Sequence, residues 1–261
     1  MGANDPQFIT VGSGASERKI AYLAQNPARE DAASLLWLTG LKSDMISTKA
    51  EALAAWTAQH GLGFTRFDYS GHGRSEGLFE EATLSDWLEE TAAVFHEITA
   101  GPQILVGSST GAHVALLLLR HLRETTPEEA ARIRGLVLIA PAWDLTELMW
   151  SQLPEEARSE IEEKGFWVRP SAYDPAGYII TRQFMEDGRR HLLKDTAFDP
   201  GRPVLVLQGA EDRDVPIEHA RALRTVLAGD WVRITEVPDG EHRLSRPEDL
   251  EKLYALIEEL V

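Results

Sequence analysis

Short apolar runs alternate along the chain with longer amphipathic stretches, and this alternation predicts strands that alternate with helices. Strands are predicted at residues 7–11, 18–25, 34–38, 63–67, 103–106, 135–140, 202–208 and 231–237. Helices are predicted at residues 47–60, 84–99, 112–122 and 247–260. Because helical crossovers connect most of the strands, we predict an α/β fold with a mainly parallel, doubly wound sheet. The first two strands are expected to form an antiparallel hairpin at its edge.

One stretch interrupts this alternation. Residues 144–200 are rich in aromatic, proline and charged residues and are predicted to be largely helical. An insertion that follows a strand in such a fold lies above the carboxyl edge of the sheet. We therefore predict a core formed by residues 1–143 and 201–261, with residues 144–200 inserted as a small helical lid.

The sequence Gly107-Ser108-Ser109-Thr110-Gly111 joins the predicted strand at 103–106 to the predicted helix at 112–122. Gly-x-Ser-x-Gly at a strand-to-helix turn is the nucleophile elbow of α/β-hydrolases, which presents the central serine hydroxyl at the carboxyl edge of the sheet. The positive end of the following helix favours an anion that forms nearby. Ser109 is therefore the predicted nucleophile.

A serine hydroxyl needs a base, and in this fold the nucleophile is followed along the chain by an acid and then by a histidine. His242 lies in the loop between the last strand and the last helix, where an imidazole can reach the elbow; a solvent-exposed loop histidine is the alternative. Asp212 follows the strand at 202–208 and is predicted to orient the imidazole. Asp214 is its chief rival, and otherwise caps the helix that begins near Pro216. His72 precedes Ser109, which is the wrong order for the base.

The transition state of acyl transfer carries a negative oxygen that needs preorganised donors. The backbone N–H groups of Thr110, directly after the nucleophile, and of Leu41, in the loop after the strand at 34–38, are the predicted donors. Gly40 allows this loop to approach closely, although a plain glycine turn is the alternative interpretation.

Aromatic residues are concentrated in and beside the predicted lid. Together with one methionine they are Trp143, Met149, Trp150, Phe166, Trp167, Tyr173, Tyr178 and Phe184. Some of them pack the lid onto the core, and as a group they predict an apolar acyl or aryl pocket. Trp143 and Trp150 are the predicted pocket residues, and His113 is expected to face the pocket from the helix after the elbow.

Composition narrows the possible partners. The 261 residues include 42 acidic and 26 basic side chains, which give a net charge of −16. This charge repels nucleic acid and anionic membranes, and we interpret it as a determinant of solubility rather than as an acidic docking surface. The absence of cysteine excludes disulfides, thiolate catalysis and thiolate metal sites. With no secretory pattern and no apolar stretch long enough to span a bilayer, we expect a cytoplasmic enzyme without a metal or other cofactor.

Several further stretches resemble one branch of the α/β-hydrolases. They are residues 40–45, 48–50, 67–77, 87–89, 101–109, 148–150 and 187–193. Over most of the chain they resemble the palmitoyl-protein thioesterase and mycophenolic acid acyl-glucuronide esterase family and its bacterial relatives. The chain departs from the family at residues 110–113, where the family usually has a bulky apolar residue, then Gly-Gly and often Trp. Animal members are mitochondrial, and the lack of a visible transit peptide here predicts a bacterial-type protein.

The resemblance implies hydrolysis of S-acyl thioesters or acyl glucuronides by Ser109, Asp212 and His242. We therefore predict a serine esterase or thioesterase that forms an acyl-enzyme from a small acyl substrate, with an S-acylated protein as a further candidate substrate. Two alternatives stay open. One is hydrolysis of another bond type on the same fold, as in a lactonase or a C–C hydrolase, because fold does not decide substrate. The other is a non-catalytic protein that binds a small ligand in the same cleft.

Overall fold

The computed structural model describes residues 5–170, 177–196 and 198–261. The strands in these ranges are β1 (Gln7–Val11), β2 (Arg18–Gln25), β3 (Ser34–Leu38), β4 (Gly63–Phe67), β5 (Gln103–Ser108), β6 (Ile133–Ile139), β7 (Phe166–Arg169), β8 (Tyr178–Thr181), β9 (Val204–Gly209) and β10 (Val232–Val237). The α-helices are α1 (Thr48–His60), α2 (Leu84–Glu97), α3 (Thr110–Thr125), α4 (Pro127–Ala130), α5 (Leu145–Gln152), α6 (Glu155–Lys164), α7 (Arg182–Gly188), α8 (Ile217–Val226) and α9 (Pro247–Glu258).

Eight of these strands form one sheet in the order β1-β2-β4-β3-β5-β6-β9-β10. Strand β2 pairs antiparallel with β1 and with β4, and the remaining neighbours in the sheet are parallel. The central strands β3 and β5 are buried along their whole length, as expected for apolar strands that are covered on both faces. The prediction of a mainly parallel sheet with an antiparallel hairpin at one edge is confirmed.

Helices cover both faces of the sheet. Leu36 and Leu105 pack in a hydrophobic cluster with residues of α2, α3 and α8, whereas Trp37 and Val106 pack in a second cluster with residues of α1 and α9. Because successive side chains of a strand point to opposite faces, each central strand contributes to both clusters. Within the described residues, no helix combines the length and the apolar character needed to cross a membrane.

The chain between β6 and β9 carries helices α5, α6 and α7 together with an antiparallel hairpin of β7 and β8. The prediction of a largely helical insertion is therefore wrong for the hairpin. Its strands are rich in β-branched and aromatic residues, which favour a pleated surface, and Phe166 and Val168 are exposed while their neighbours are half-buried. Tyr173 lies outside the described residues. The boundaries of the insertion and its action as a lid remain predictions.

Candidate active site

The turn between β5 and α3 holds Ser109 in a backbone conformation that few residues adopt. Its φ is 55° and its ψ is −114°, and a positive φ is strained in a residue with a Cβ atom. A Cβ added at Gly107 would lie 2.5 Å from the carbonyl oxygen of Gly111, and one added at Gly111 would overlap the carbonyl oxygen of Leu38. Close packing of β3, β5 and α3 thus requires both glycines, and the turn leaves Ser109 at the carboxyl end of β5.

A hydrogen bond joins His242 to Asp212, and the Nδ1 atom lies 2.8 Å from Oδ2. Asp212 follows β9 and His242 follows β10, so two neighbouring parallel strands bring both side chains to the same edge of the sheet. The other carboxylate oxygen, Oδ1, accepts the backbone N–H groups of Asp214 and Val215, each at 2.9 Å. The amide of Gln208 donates to Oδ2 at 3.2 Å. Four donors therefore fix the orientation of the buried carboxylate.

The rival acid, Asp214, has a different environment. Its side chain is exposed and lies 3.4 Å from the guanidinium of Arg169. Helix α8 begins after Pro216 without a side-chain cap, so the alternative interpretation of Asp214 as a helix cap is wrong. Ligand atoms of Asp212, Asp214 and His242 lie within 4.8 Å of one another, an arrangement that could hold a metal ion. The Asp212–His242 hydrogen bond already explains the closest of these approaches.

Ser109 and His242 line the same cavity, which has a volume of about 620 Å³. This size is typical of small-molecule sites, about 300–1,000 Å³. Leu145, Leu148 and Met149 of helix α5 also line it and supply apolar surface. The cavity can therefore hold a small molecule that places an apolar group against α5 and a reactive group beside Ser109.

The two predicted backbone donors, Leu41 and Thr110, also line this cavity. They lie in the β3 loop (residues 40–43) and at the first position of α3. A Cβ added at Gly40 would lie 3.5 Å from the Cβ of Ser109, so the β3 loop packs directly against the elbow. The N–H of Ser43 donates to the carbonyl of Gly40 at 3.1 Å and closes the loop as a turn. Among the described residues, neither the Leu41 nor the Thr110 N–H has an acceptor, so both are available to a ligand.

Basic residues surround this cavity in a protein whose net charge is −16. The basic residues that line it are Lys42, Lys49, Arg169 and Arg243, and the acidic ones are Asp214 and Glu241. Lys49 lies in the first turn of α1 and donates to the carbonyl oxygen of Arg243 at 2.6 Å. Burial lowers the pKa of the Lys49 ammonium to about 8. Four basic side chains against two acidic ones leave the lining with an excess of positive charge, and such an excess favours anionic ligands.

Two predicted pocket residues, Trp143 and Trp150, lie outside the cavity lining, and this prediction is corrected. The indole of Trp143 stacks on His219 at 4.3 Å between ring centroids, and its N–H donates to the His219 carbonyl at 2.8 Å. The ring of Trp150 packs against the guanidinium groups of Arg158 and Arg189, at 5.7 and 5.6 Å. Both tryptophans are therefore engaged in packing, Trp143 against helix α8 and Trp150 against two arginines of the inserted segment.

His113, which the sequence predicts to face the pocket, also lies outside the lining, so this prediction is corrected as well. Its ring is fully buried, with Nε2 at 3.3 Å from the carbonyl oxygen of His191, and burial lowers its pKa to about 3. Met149 and Tyr178, two members of the group that predicts an apolar pocket, do line the cavity. Further apolar lining comes from Leu145 and Leu148, which share one face of α5 with Met149. Their spacing of three and four residues is the signal of one helix face and could have identified them from the sequence.

Comparison with known proteins identifies the family. A family model described as serine aminopeptidase, S33, matches residues 31–170, more than half of the chain. Palmitoyl-protein thioesterase ABHD10, mitochondrial, of Mus musculus is 31% identical over 244 residues, which are 93% of this chain and 80% of the mouse protein. The chain belongs to the family of α/β-hydrolases that this model describes and that includes the mouse thioesterase.

Solved structures share the fold of this α/β-hydrolase. A crystal structure from Agrobacterium vitis S4 superimposes with a TM-score of 0.94 at 42% identity and covers 98% of both chains. The structure of alpha/beta hydrolase domain-containing protein 10 from mouse superimposes with a TM-score of 0.84 at 29% identity and also covers 98% of both chains. The family and its thioesterase-named relatives support hydrolase activity on acyl substrates.

Proposed function

We propose that this α/β-hydrolase is a serine esterase or thioesterase that cleaves carboxylic ester or thioester bonds. One observation carries the proposal: Asp212 is hydrogen-bonded at 2.8 Å to His242, and His242 lines the cavity that also contains Ser109. The strained backbone of Ser109 and the two N–H donors without acceptors at the same cavity support it. A protein that only bound a ligand would have no use for this combination.

The proposed reaction divides the hydrolysis into two steps. Ser109 attacks the substrate carbonyl while Nε2 of His242 accepts the hydroxyl proton. Asp212 accepts the Nδ1–H of His242, which fixes the tautomer and stabilises the imidazolium. The N–H groups of Leu41 and Thr110 stabilise the negative oxygen of the tetrahedral intermediate. His242 then protonates the leaving alcohol or thiol, and water, deprotonated by the same imidazole, hydrolyses the acyl-enzyme.

The lining of the cavity supports a division of the substrate into two parts. The acyl group is proposed to lie against the apolar residues of α5. Because His242 must protonate the leaving group, that group lies on the side of His242, where two cations, Lys49 and Arg243, outnumber the one carboxylate, Glu241. We therefore propose a leaving group that carries negative charge. The mouse relative is named a palmitoyl-protein thioesterase, which keeps an S-acylated protein among the candidate substrates.

A substrate panel tests this function. We expect the wild-type protein to hydrolyse p-nitrophenyl esters and acyl thioesters, with a burst of about one p-nitrophenol per chain when deacylation is slow. Ser109→Ala is expected to abolish both activities, and Ser108→Ala, a change at the adjacent serine, serves as the matched control. Turnover of lactones or of C–C substrates alone would replace the proposal with the corresponding activity. Binding without any turnover would indicate a non-catalytic protein.

A further inference from the structure

His72 lies beside the β3 loop and has no part in the proposed proton transfer. It follows β4 and is 5% exposed. The rings of Tyr69, Phe79 and Trp87 surround it, with centroids 5.8, 5.5 and 5.2 Å from the imidazole. Burial lowers the pKa of His72 to about 4, so the ring is neutral at neutral pH. A buried histidine that is kept neutral can act as a hydrogen-bond acceptor.

Both ring nitrogens of His72 have backbone partners. Nδ1 lies 3.1 Å from the carbonyl oxygen of Ser70, and Nε2 lies 3.0 Å from the backbone nitrogen of Lys42. A carbonyl oxygen only accepts and a backbone N–H only donates, so a single tautomer satisfies both contacts. Its Nδ1–H donates to Ser70, and its Nε2 accepts the N–H of Lys42.

The N–H of Lys42 belongs to the central peptide of the turn that closes the β3 loop. Lys42 has a φ of 56°, a left-handed value that residues other than glycine rarely adopt. In a turn with positive φ at its third residue, rotation of the central peptide restores a negative φ and relieves this strain. The bond to His72 opposes that rotation. The ammonium of Lys42 lies 4.2 Å from the centroid of the Phe79 ring and anchors the same residue.

We propose that His72 is a positioning residue: by accepting the Lys42 N–H, it holds the β3 loop so that the adjacent Leu41 N–H stabilises the oxyanion formed on Ser109. This role rests on the proposed function. It explains why a buried imidazole, rather than an apolar side chain, fills the space between three aromatic rings. If the Lys42 N–H loses its acceptor, the conformation of the β3 loop changes, whereas the contacts of the triad residues do not.

Two substitutions separate the acceptor from the ring. His72→Phe keeps a ring among the aromatic side chains but has no acceptor, and His72→Gln retains an oxygen that can reach the position of Nε2. Loss of one oxyanion donor costs about 100- to 1,000-fold in kcat. Because His72→Phe misplaces the donor rather than removing it, we expect kcat to fall about 10- to 100-fold, with KM within about twofold. We expect His72→Gln to restore kcat to within about fivefold of the wild type.

A transition-state analogue supplies the readout that packing alone would not change. An alkylboronic acid forms a tetrahedral adduct with an active-site serine, so its Ki should rise in His72→Phe by the same factor as kcat falls. Tyr69→Phe, in the same aromatic group, is the control and should leave both values unchanged. Equal losses in His72→Phe and His72→Gln with an unchanged boronate Ki would overturn the proposal in favour of packing. Wild-type kcat and Ki in His72→Phe would also overturn it.

Ser109→Ala, measured in parallel, distinguishes this failure from failure of the proposed function. If Ser109→Ala is inactive while His72→Phe behaves as the wild type, only the role of His72 is rejected. If Ser109→Ala still hydrolyses the ester and binds the boronate with the wild-type Ki, the nucleophile assignment falls, and the role of His72 falls with it.

Discussion

The substitution Asp212→Asn tests the proposed triad where the structure constrains the outcome most strongly. Oδ1 of Asp212 accepts the N–H groups of Asp214 and Val215, each at 2.9 Å, so the amide oxygen of the introduced asparagine must occupy this position. The amide NH₂ then replaces Oδ2, which now accepts Nδ1 of His242 at 2.8 Å and Nε2 of Gln208 at 3.2 Å. The introduced NH₂ group would then face the N–H donor of His242 and the NH₂ donor of Gln208, and neither pair can form a hydrogen bond.

His242 can avoid this conflict only by moving its proton from Nδ1 to Nε2. The new tautomer accepts a hydrogen bond from the introduced amide NH₂ group but cannot accept the proton of Ser109 at Nε2. The equivalent change in serine proteases lowers kcat by about 10⁴. That factor corresponds to about 5 kcal/mol in the activation barrier. We expect a loss of this size here.

The quantity to measure is kcat/KM of wild type and variant for a p-nitrophenyl ester. Thermal denaturation verifies that the variant is folded. Asp214→Asn is the matched control, because it changes the neighbouring exposed carboxylate, which lies 3.4 Å from Arg169, and leaves the His242 contact intact. We expect its activity within about threefold of the wild type, since exposed ion pairs contribute about 0–1 kcal/mol. An Asp212→Asn variant within tenfold of the wild type, together with an impaired Asp214→Asn, would show that Asp214 and not Asp212 is the acid of the triad.

Three further substitutions test the cavity and the core. Lys49→Met should lower the ratio of kcat/KM for an ester with an anionic leaving group to kcat/KM for a neutral counterpart, by about fivefold. The reason is that a solvated charge pair at 4 Å contributes about 1 kcal/mol. Burial lowers the pKa of Lys49 to about 8, so the wild type should lose its preference for the anionic ester between pH 7 and 9.5. If Lys49→Met lost the same factor on both esters, the charge of Lys49 would not be the cause. Gly111→Ala should lower the free energy of unfolding by about 3 kcal/mol in urea, because its Cβ would overlap the carbonyl oxygen of Leu38; an unchanged midpoint would contradict the packing argument. Burial lowers the pKa of His113 to about 3, so below pH 6.5 the unfolded chain binds a proton that the folded chain excludes. His113 alone should therefore lower the free energy of unfolding by about 2 kcal/mol from neutral pH to pH 5, and the buried His72 adds a similar decrease. The decrease should be about 2 kcal/mol smaller in His113→Leu, and an equal decrease in this variant would contradict the assignment.

Much of the fold could be predicted because the central strands are continuous apolar runs. The predicted strands at 34–38 and 63–67 coincide with β3 and β4, and both are fully buried. Topology then brings together what lies far apart in sequence. Asp212 and His242 follow strands that become neighbours, and the structure joins their side chains with a hydrogen bond. Their action on Ser109 remains a prediction.

The rest could not be predicted, because it depends on which surface each side chain meets. Trp143 and His113 are the residue types expected in a pocket, yet one stacks on His219 and the other is sealed in the core. The hairpin of β7 and β8 interrupts a charged segment whose composition suggested helix. His72 contacts the N–H of Lys42, thirty positions away in the sequence. Because every residue except proline has this backbone group, the identity of residue 42 does not indicate the contact.

Covalent labelling with a fluorophosphonate, followed by mass spectrometry of the modified peptide, is the most direct test of Ser109 as the nucleophile. We expect one label per chain, attached to Ser109, and no label in Ser109→Ala. His242→Ala should slow the labelling of Ser109 strongly, because the hydroxyl then lacks its base. A label on Ser108 or elsewhere, or undiminished labelling of Ser109→Ala, would show that Ser109 is not the nucleophile.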